Sequence, residues 1–495
     1  MLTGLLVLRI VLMFVVPQID STESRYAEIS RKIVETGNWL TPQHDYAVPF
    51  WAKPPLSMWT SAAGMQVFGV SDFSARIGIL LVSLVLLWLI YRWCKQARGR
   101  EFAAVAVTIL FTTVIFFTSA AFVQTDLLMV LGTSAAMVAF WNAMHNDRRQ
   151  LVWGYLFFVG LAIGLLAKGP VAIVLSAIPI GGWVLFRNEW IRTWKNIPWI
   201  SGTLLMLLIA APWYYLAEKA TPGYLEYFFV GEHYMRYTVS GWEGDMYGNA
   251  HSKPIGTIWL LWLAMLLPWS FLPLMAIIFR RNSTKDHLRR VNNAKSGWMS
   301  YVTWWALAPV LFFTVSRNVI PSYVLPGVPA AAVWILEVWL AGYGRDSRMT
   351  LPMQKVMSAI VLSFAGIWVV ACIIFAFYPQ VISKNSQKQL VLDAQEMGLP
   401  LYYYGKRQYS AEFYSDGEVV RITDKDPYAE HLQLENAVKK PKFMLKSDIG
   451  QLLENDQQDL FAIRKSEVVL FSEDFWSHFE QVKEYKKYLL FREIK

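Results

Sequence analysis

Acidic and basic residues cluster in the first long polar stretch of a chain that is otherwise largely apolar. Asp20, Glu23, Arg25 and Tyr26 directly follow the first apolar segment, and Lys53 stands further along the same stretch. Ionisable side chains beside a bilayer are costly, so a group of them indicates a functional site. Carboxylates that accept a proton and cations that bind a phosphate suit a reaction in which an anionic group leaves. We therefore interpret this stretch as an acid/base centre with a cationic phosphate site.

The composition is that of an integral membrane protein. Of the 495 residues, 55% are hydrophobic and 17% are charged, and the 23 Trp and 23 Tyr suit two interfacial aromatic belts. The net charge of +9 does not indicate a nucleic-acid partner, because the cations concentrate in alternate loops. Cys94 and Cys372 lie at or within predicted helices, so we expect no disulfide framework.

Apolar runs of about 20 residues predict an all-α polytopic protein with eleven membrane-spanning helices. Clusters of Lys and Arg follow every second run, and all of them lie on one side when the N-terminus is cytoplasmic. This orientation places the loops 18–73 and 218–254 on the outer face, together with the C-terminal region. The predicted spans are 2–17, 74–92, 102–121, 126–144, 151–167, 169–187, 197–217, 255–279, 298–315, 319–341 and 356–378.

Residues 379–495 differ in character and predict a small soluble α/β domain that follows the membrane domain 1–378. Strand-like and helix-like runs alternate there. The predicted strands are Leu401–Tyr404, Val419–Thr423, Phe443–Leu445, Leu460–Ile463 and Val468–Phe471, and the predicted helices are Gln387–Met397, Tyr428–Val438 and Ile449–Gln457. In the first loop, the apolar spacing from Glu23 to Glu35 predicts a further helix, with Gly37 as its C-cap.

Further polar residues are predicted at the outer ends of the spans, where both charges occur together with aromatic side chains. Such mixing suits a base that deprotonates a nucleophile while cations stabilise the leaving group. These residues are the acid Asp126, the candidate donor-binding residues Lys168, Arg236 and Arg317, and the candidate acceptor contacts Glu232, His233 and Tyr323.

The available energy source limits which sugar donor the site could use. No glycine-rich nucleotide loop follows a predicted strand, and an outer-face site has no ATP, so the activated sugar must arrive on a lipid. A polyprenyl phosphate sugar meets this need, because departure of its phosphate leaves a dianion that Arg and Lys can bind. In-line attack by an acceptor would invert the anomeric centre.

Several motifs, in the same order, make the chain similar to the bacterial aminoarabinose–lipid A transferase family. That family belongs to the polytopic GT-C glycosyltransferases, alongside the protein O-mannosyltransferases. The resemblance covers about residues 1–340. It is carried by Glu23-Ser-Arg-Tyr-Ala-Glu-Ile-Ser, Lys53-Pro-Pro-Leu, Phe68-Gly-Val-Ser-Asp-Phe-Ser-Ala-Arg76, Thr125-Asp126, Ala167-Lys168-Gly169, Phe229-Val-Gly-Glu-His233 with Arg236, and Tyr323-Val-Leu-Pro326.

The resemblance implies a transfer of aminoarabinose or another amino sugar from undecaprenyl phosphate to lipid A, at the periplasmic face of the bacterial inner membrane. Family members carry an Asp-Glu pair just before Arg-Tyr, whereas here Thr22 precedes Glu23 and the Asp stands two residues earlier at Asp20. The resemblance therefore leaves the base open between Asp20 and Glu23, and we favour Asp20. It also implies Asp126 as a second important acid and Lys53 as the residue that meets the carrier phosphate, with Arg25 assisting.

Other interpretations of the same residues remain. Asp20 and Glu23 also suit helix capping, and the lysines and Tyr323 also suit interfacial anchors. Glu232 and His233 are adjacent in sequence and do not direct both side chains at one ion, so no metal cofactor is indicated. Alternative functions with the same donor are protein O-glycosylation and extension of a surface polysaccharide. A lipid-linked sugar flippase or transporter would favour inverted repeats and charges at mid-membrane.

Overall fold

The computed structural model describes residues 2–248, 251–279, 286, 297–343, 349–378, 381, 385–429, 431–435, 437–454 and 457–495. The chain divides into two compact units. The helical unit comprises Met1–Leu5, Trp51–Ser57 and Ile77–Ile367. The mixed unit comprises Leu6–Phe50, Met58–Arg76 and Trp368–Lys495.

Among the described residues, six helical segments are long and apolar enough to cross a membrane: Asp72–Arg98, Asp126–His145, Gln150–Lys168, Trp199–Ala220, Pro321–Tyr343 and Leu351–Phe377. Three shorter apolar helices are Leu2–Val15, Val171–Arg187 and Trp298–Phe313. The other helices that the structure describes up to residue 343 are Thr22–Thr36, Leu56–Phe68, Arg100–Phe111, Val114–Ser119, Trp190–Asn196, Tyr224–Glu226, Arg236–Thr238, Thr257–Met265 and Phe271–Phe279, with a π-helix at Tyr227–Met235 and 3₁₀ turns at Asp147–Arg149 and Pro321–Gly327.

Helix occupies each of the predicted apolar runs, but two of the runs are interrupted. The run 102–121 divides at Thr112 and Thr113, where the Thr113 hydroxyl accepts a hydrogen bond from the backbone N–H of Phe116 and starts a new helix. The run 255–279 divides around Pro268, between Thr257–Met265 and Phe271–Phe279. Proline lacks the N–H that would continue the helix.

The helices Asp126–His145 and Gln150–Lys168 of the helical unit pack backbone against backbone. A Cβ atom on Gly132 would lie 2.5 Å from the backbone nitrogen of Gly164, and one on Gly160 would lie 2.5 Å from that of Ala136. Small residues spaced four apart permit this close approach between membrane helices. Because the two helices run antiparallel through a short connection, the first residue of one comes beside the last residue of the other.

A buried carboxylate within a predicted span is paired in the helical unit. Glu337 is fully buried, and Arg98 Nε lies 2.7 Å from its Oε1. The Trp298 Nε1–H donates to the same oxygen at 2.8 Å. A charge inside a membrane protein requires such partners, so this acid is explained as a structural ion pair.

The mixed unit contains both sheets. Strands β1 (Gln43–Asp45) and β2 (Val48–Pro49) form an antiparallel pair. The six-stranded sheet has the order β5-β4-β3-β6-β8-β7, in which β5, β4, β3 and β6 are parallel and β8 and β7 are antiparallel. Its strands are β3 (Leu401–Tyr404), β4 (Val420–Thr423), β5 (Phe443–Leu445), β6 (Leu460–Arg464), β7 (Phe479–Glu484) and β8 (Tyr488–Glu493).

Alternate residues of this sheet enter two apolar cores, one on each face. Leu460 and Ala462 of β6 belong to one core, and Phe461 and Ile463 belong to the other. This alternation is the period of a strand with both faces covered. Helices of the unit are Thr22–Thr36, Leu56–Phe68, Lys388–Met397, Tyr409–Tyr414, Gly450–Glu454 and Glu473–Ser477, with 3₁₀ turns at Lys446–Asp448 and Lys465–Leu470.

One helix predicted in the mixed unit is confirmed, whereas a predicted strand and a second predicted helix are wrong. The predicted first-loop helix is confirmed as Thr22–Thr36, which ends at Gly37 with a φ of 68°. The strand predicted at Val468–Phe471 is wrong, because Lys465–Leu470 forms a 3₁₀ turn. The helix predicted at Tyr428–Val438 is also wrong, since the described residues of that stretch are turns and irregular chain.

Candidate active site

Lys53 and Arg236 bind the same buried carboxylate, that of Glu232. The Lys53 Nζ lies 2.6 Å from Glu232 Oε2, and Arg236 Nη1 lies 3.0 Å from each of the two carboxylate oxygens. Only 1% of the Glu232 side chain is exposed, against 18% for Lys53 and 23% for Arg236. The carboxylate therefore lies behind two cations that an anion can still reach.

The π-helix Tyr227–Met235 positions Glu232. A π-helix has a wider turn than an α-helix and is frequent at functional sites. Here the hydroxyl of Tyr227, five residues before Glu232, donates to its Oε1 at 3.3 Å. His233 Nδ1 lies 2.8 Å from the carbonyl oxygen of Phe228, which is also five residues earlier. The wider turn thus fixes two of the predicted site residues by contacts within one segment.

A second carboxylate, Asp245, neutralises the remaining charge of this cluster. Its Oδ2 lies 3.3 Å from Arg236 Nη1, and its Oδ1 accepts a hydrogen bond from the Tyr247 N–H at 3.1 Å. Burial by itself would raise the pKa of Glu232, but Lys53 and Arg236 hold that pKa below its ordinary value. Two cations therefore face two carboxylates, and the formal charge of the cluster is zero.

Asp126 and Lys168 form the ion pair that the helix packing brings together. The Lys168 ammonium lies 5.0 Å from the centre of the Tyr323 ring, a distance typical of a cation–π contact. The carbonyl oxygen of Lys168 lies 3.3 Å from His233 Nε2. Burial lowers the pKa of His233. These contacts join the pair to the π-helix that carries Glu232.

Tyr323 lies among the charged groups of both ion-pair clusters. Its hydroxyl interacts electrostatically with Arg236 and Lys53 of one cluster and with Asp126 of the other. The helical unit therefore brings together seven of the residues predicted from the sequence: Lys53, Asp126, Lys168, Glu232, His233, Arg236 and Tyr323.

Arg317 is not part of this arrangement. Its side chain is exposed, and it forms no ion pair with any residue that the structure describes. Its carbonyl oxygen accepts a hydrogen bond from the Lys253 N–H at 2.8 Å. The structure therefore supports a backbone role for Arg317 between two loops and gives no contact between its side chain and the other predicted residues.

In the mixed unit, the carboxylate of Asp20 accepts several hydrogen bonds. Its Oδ1 accepts from the Ser24 hydroxyl at 2.6 Å and from the Ser410 N–H at 2.9 Å, and its Oδ2 accepts from the Ser410 hydroxyl. Burial raises the pKa of Asp20, although the hydrogen bonds from both serines oppose this shift. A carboxylate with a raised pKa is a stronger base.

Glu23 has a different environment, because Arg76 occupies both of its oxygens. Arg76 Nε donates to Oε1 and Nη2 donates to Oε2, each at 2.8 Å. The same guanidinium donates to the carbonyl oxygens of Met13 at 2.9 Å and of Pro17 at 3.1 Å. Glu23 and Arg76 are almost fully buried. This bidentate pair closes the end of the first helix and engages both carboxylate oxygens of Glu23.

Arg25 and Tyr26 lie next to each other on the helix that follows. The guanidinium carbon of Arg25 lies 5.4 Å from the centre of the Tyr26 ring, and Tyr26 is buried. Glu28, three residues after Arg25, forms ion pairs with Arg31 at 2.7 Å and with Lys32 at 3.0 Å.

Several contacts of the candidate site residues were missing from the sequence interpretation. Asp245 follows a glycine in a loop without a motif, and Ser410 is more than 380 residues from Asp20 in sequence, so no local signal marks either residue. Arg76 ends a motif that the sequence analysis quoted, yet nothing in the spacing pairs it with Glu23. Within the described part of the chain, no three His, Cys, Asp or Glu side chains are grouped to hold a metal ion.

Comparisons with known proteins place this arrangement in context. The family model described as dolichyl-phosphate-mannose-protein mannosyltransferase matches residues 5–228. The undecaprenyl phosphate-alpha-4-amino-4-deoxy-L-arabinose arabinosyl transferase of Erwinia tasmaniensis is 27% identical over 457 residues, which cover 86% of this chain and 78% of that protein. The protein of the same name from Enterobacter sp. (strain 638) is 29% identical over 313 residues, 61% of this chain and 52% of that protein. The matched region thus spans about half the length of the second relative.

The fold also has a close counterpart among solved structures. ArnT from Cupriavidus metallidurans bound to undecaprenyl phosphate superposes with a TM-score of 0.77 at 19% identity, over 100% of this chain and 97% of that chain. The apo form of the same protein gives a TM-score of 0.74. Together with the apolar helices, these matches identify the chain as a membrane-embedded protein with the ArnT-like GT-C fold, and they confirm the resemblance that the motifs indicated.

Proposed function

We propose that this relative of the aminoarabinose transferases is a membrane glycosyltransferase that uses a sugar carried on undecaprenyl phosphate. The acceptor would be lipid A or another component of the cell envelope, and the sugar would be aminoarabinose or a related amino sugar. The match to a protein mannosyltransferase family over residues 5–228 supports a protein acceptor as the second candidate. Either acceptor requires the same donor chemistry.

The observation that carries the proposal is the meeting of Lys53 and Arg236 at one carboxylate, 2.6 and 3.0 Å away. Two cations held this close together, and partly open to solvent, form a site for a phosphate. A guanidinium can bind two phosphate oxygens at once and an ammonium adds a point charge. Because both residues belong to the unit that contains most of the apolar helices, the phosphate of a membrane lipid is the anion that suits them.

The proposed transfer needs only the sugar donor, the acceptor and a base. The bond between the anomeric carbon and the phosphate oxygen breaks, and its electron pair remains with the carrier phosphate. A new bond forms between the anomeric carbon and an acceptor oxygen, whose proton passes to a base. We propose Asp20 as that base, supported by its raised pKa and by the occupation of both Glu23 oxygens by Arg76. Positioned general bases contribute about 10²- to 10⁴-fold to a rate.

The remaining site residues receive roles that follow from their contacts. Asp126 would act as a second catalytic acid and Lys168 would help to bind the donor, while Tyr323 and His233 would contact the acceptor. Arg25, stacked on Tyr26, would assist with an anionic substrate group. Arg317 stays a donor-binding prediction, and its exposed side chain forms no ion pair with any described residue.

The membrane arrangement completes the proposal. We infer eleven spans, a cytoplasmic N-terminus and a location in the bacterial inner membrane, with the α/β region 379–495 in the periplasm. The support is the sorting of Lys and Arg into alternate loops. In this orientation the first loop, 18–73, would act on lipid substrates at the periplasmic face.

A reconstituted transfer assay tests the proposal. Purified protein in liposomes would receive an undecaprenyl phosphate-linked amino sugar and lipid A, and mass spectrometry would detect the modified acceptor. We expect Lys53→Ala to weaken use of the donor by about 10- to 100-fold, the size of one charge-assisted hydrogen bond. Lys219→Ala, at an exposed lysine of the same unit, is the matched control and should leave transfer unchanged. Equal donor use by the Lys53 variant and the wild type would refute a phosphate site at Lys53.

A further inference from the structure

Glu232 raises a question that phosphate binding alone does not answer. A site built only to attract a phosphate would leave its cations free of buried anions, yet here a carboxylate contacts both of them. Its side chain is 1% exposed, so it is not a surface group that solvent screens. Asp245, with 3% of its side chain exposed, adds a second negative charge at Arg236. The formal charges of Lys53, Arg236, Glu232 and Asp245 therefore sum to zero, and both carboxylates are buried.

The two phosphates that the site must handle differ in charge. The donor is a phosphodiester with one negative charge, whereas the spent carrier is a phosphomonoester whose charge at neutral pH is about −1.5 to −2. Any positive potential at the site therefore favours the product over the donor. A site with two uncompensated cations would bind the spent carrier most tightly and would turn over slowly.

We propose that Glu232 is a counter-anion that limits the affinity of the site for the spent polyprenyl phosphate and so promotes its release. The proposal rests on the function proposed above and adds a role for a residue that need not touch the reacting atoms. Glu232 is therefore a positioning residue. It contacts both Lys53 and Arg236 and reduces the positive potential that they present to a ligand. The two cations stay in place to bind the donor, while the reduced positive potential allows the spent carrier to dissociate.

The geometry favours this role over that of a proton acceptor. Both oxygens of Glu232 already contact cations, and Tyr227 donates to Oε1. Lys53 and Arg236 hold the pKa of the carboxyl below its ordinary value. A carboxylate that is buried, fully paired and held in its charged form is suited to supply a constant negative charge.

The expected effect follows from Coulomb's law. Replacing Glu232 by Gln keeps the shape of the side chain and one carbonyl acceptor but removes one negative charge. If that change strengthens binding of a monoanion about tenfold, it strengthens binding of a dianion by the square of that factor, about a hundredfold, because the interaction scales with the ligand charge. The variant should therefore show a lower KM for the donor, a lower kcat, and a burst of product in the first turnover.

The test measures binding of undecaprenyl phosphate without sugar to the full-length protein in detergent micelles, together with steady-state transfer. We expect Glu232→Gln to bind this probe more tightly than the wild type. Unchanged or weaker binding would overturn the inference, since a purely structural carboxylate would lose affinity when removed. If the Glu232 variant does not accumulate, Asp245→Asn removes a negative charge from the same Arg236, and it too must bind the probe more tightly.

The same measurement separates this inference from the proposed function. Failure of the wild type to bind undecaprenyl phosphate would remove the proposed function itself. If the wild type binds the probe and Lys53→Ala weakens that binding, but Glu232→Gln does not bind it more tightly, only the role of Glu232 is refuted.

Discussion

The ambiguity between Asp20 and Glu23 can be resolved by substituting each carboxylate with its amide. Glu23→Gln leaves Arg76 as a buried cation without its bidentate partner. Removal of one member of a buried ion pair typically costs about 3–5 kcal/mol. The three backbone carbonyls at the end of the first helix still accept from Arg76, so the loss should lie near the lower end of that range. We therefore expect Glu23→Gln to lower stability while the folded fraction keeps its activity.

Asp20→Asn should behave in the opposite way. An amide preserves the oxygen that accepts from Ser24 and Ser410, so most of the local hydrogen bonding survives. Loss of the base should reduce transfer by about 10²- to 10⁴-fold. The assay is transfer per folded molecule, with folded protein quantified by thermal denaturation monitored through size-exclusion chromatography in detergent.

A double variant supplies the control. Arg76→Gln in the Glu23→Gln background removes the unpaired charge and should recover part of the lost stability. The reasoning fails if Glu23→Gln melts like the wild type and yet transfers no sugar, because Glu23 would then be the base. It also fails if Asp20→Asn keeps full activity per folded molecule.

Three further predictions concern other contacts. Asp126→Asn and Lys168→Met should each reduce transfer, and the double variant should lose much less than the sum of the two, as a double-mutant cycle would show for a direct ion pair. Gly132→Ala should lower the melting temperature because its Cβ would lie 2.5 Å from a facing backbone atom, whereas Gly181→Ala, with open space around it, should not. Burial, with the neighbouring cations, lowers the pKa of His44 well below its ordinary value. The unfolded chain therefore binds the proton first, and stability should fall as the pH drops below about 6.5; in denaturation at graded pH, His44→Gln should reduce this dependence.

Local signals predicted some parts of the mixed unit well. The helix Thr22–Thr36 was predictable because its apolar spacing and the terminal Gly37 both lie within one short stretch. The strands β3 and β5 were predicted with the bounds that the structure shows. By contrast, β7 and β8 were not predicted. Strand β7 (Phe479–Glu484) alternates only weakly because most of its side chains are exposed polar groups.

Contacts between segments that are distant in the chain could not be predicted from the sequence. The spacing of Lys53 and Arg236 gave no indication that both would meet one carboxylate, because 183 residues separate them in the chain. The π-helix Tyr227–Met235 that carries Glu232 has no distinctive composition, so its wider backbone turn could not be predicted from the sequence. Residue types could therefore indicate the chemistry, while the pairing of charges required the folded chain.

The helix Thr22–Thr36 shows how buried charges are paired in the mixed unit. This helix is strongly polar, yet ten of its residues are buried, including Glu28, Arg31 and Lys32. Glu28 pairs with Arg31 and Lys32 one turn away, and Arg31 also pairs with Glu35 at 2.8 Å. The helix therefore supplies two carboxylates for its two buried cations, and an uncompensated buried charge would be strongly destabilising.

The C-terminal segment extends this network with one carboxylate and one cation. Glu412 lies 3.3 Å from Lys32 Nζ and pairs with Arg407, which in turn lies 3.2 Å from Asp45 Oδ2. Burial opposes the charge on Glu412, but Arg407 and Lys32 lower its pKa to about 2. Residues 407–412 therefore belong to the ion-pair network of the buried first-loop helix, and the same segment places Ser410 on the Asp20 carboxylate. A single stretch of the C-terminal region thus both pairs with charges of the first loop and holds the proposed base by hydrogen bonds.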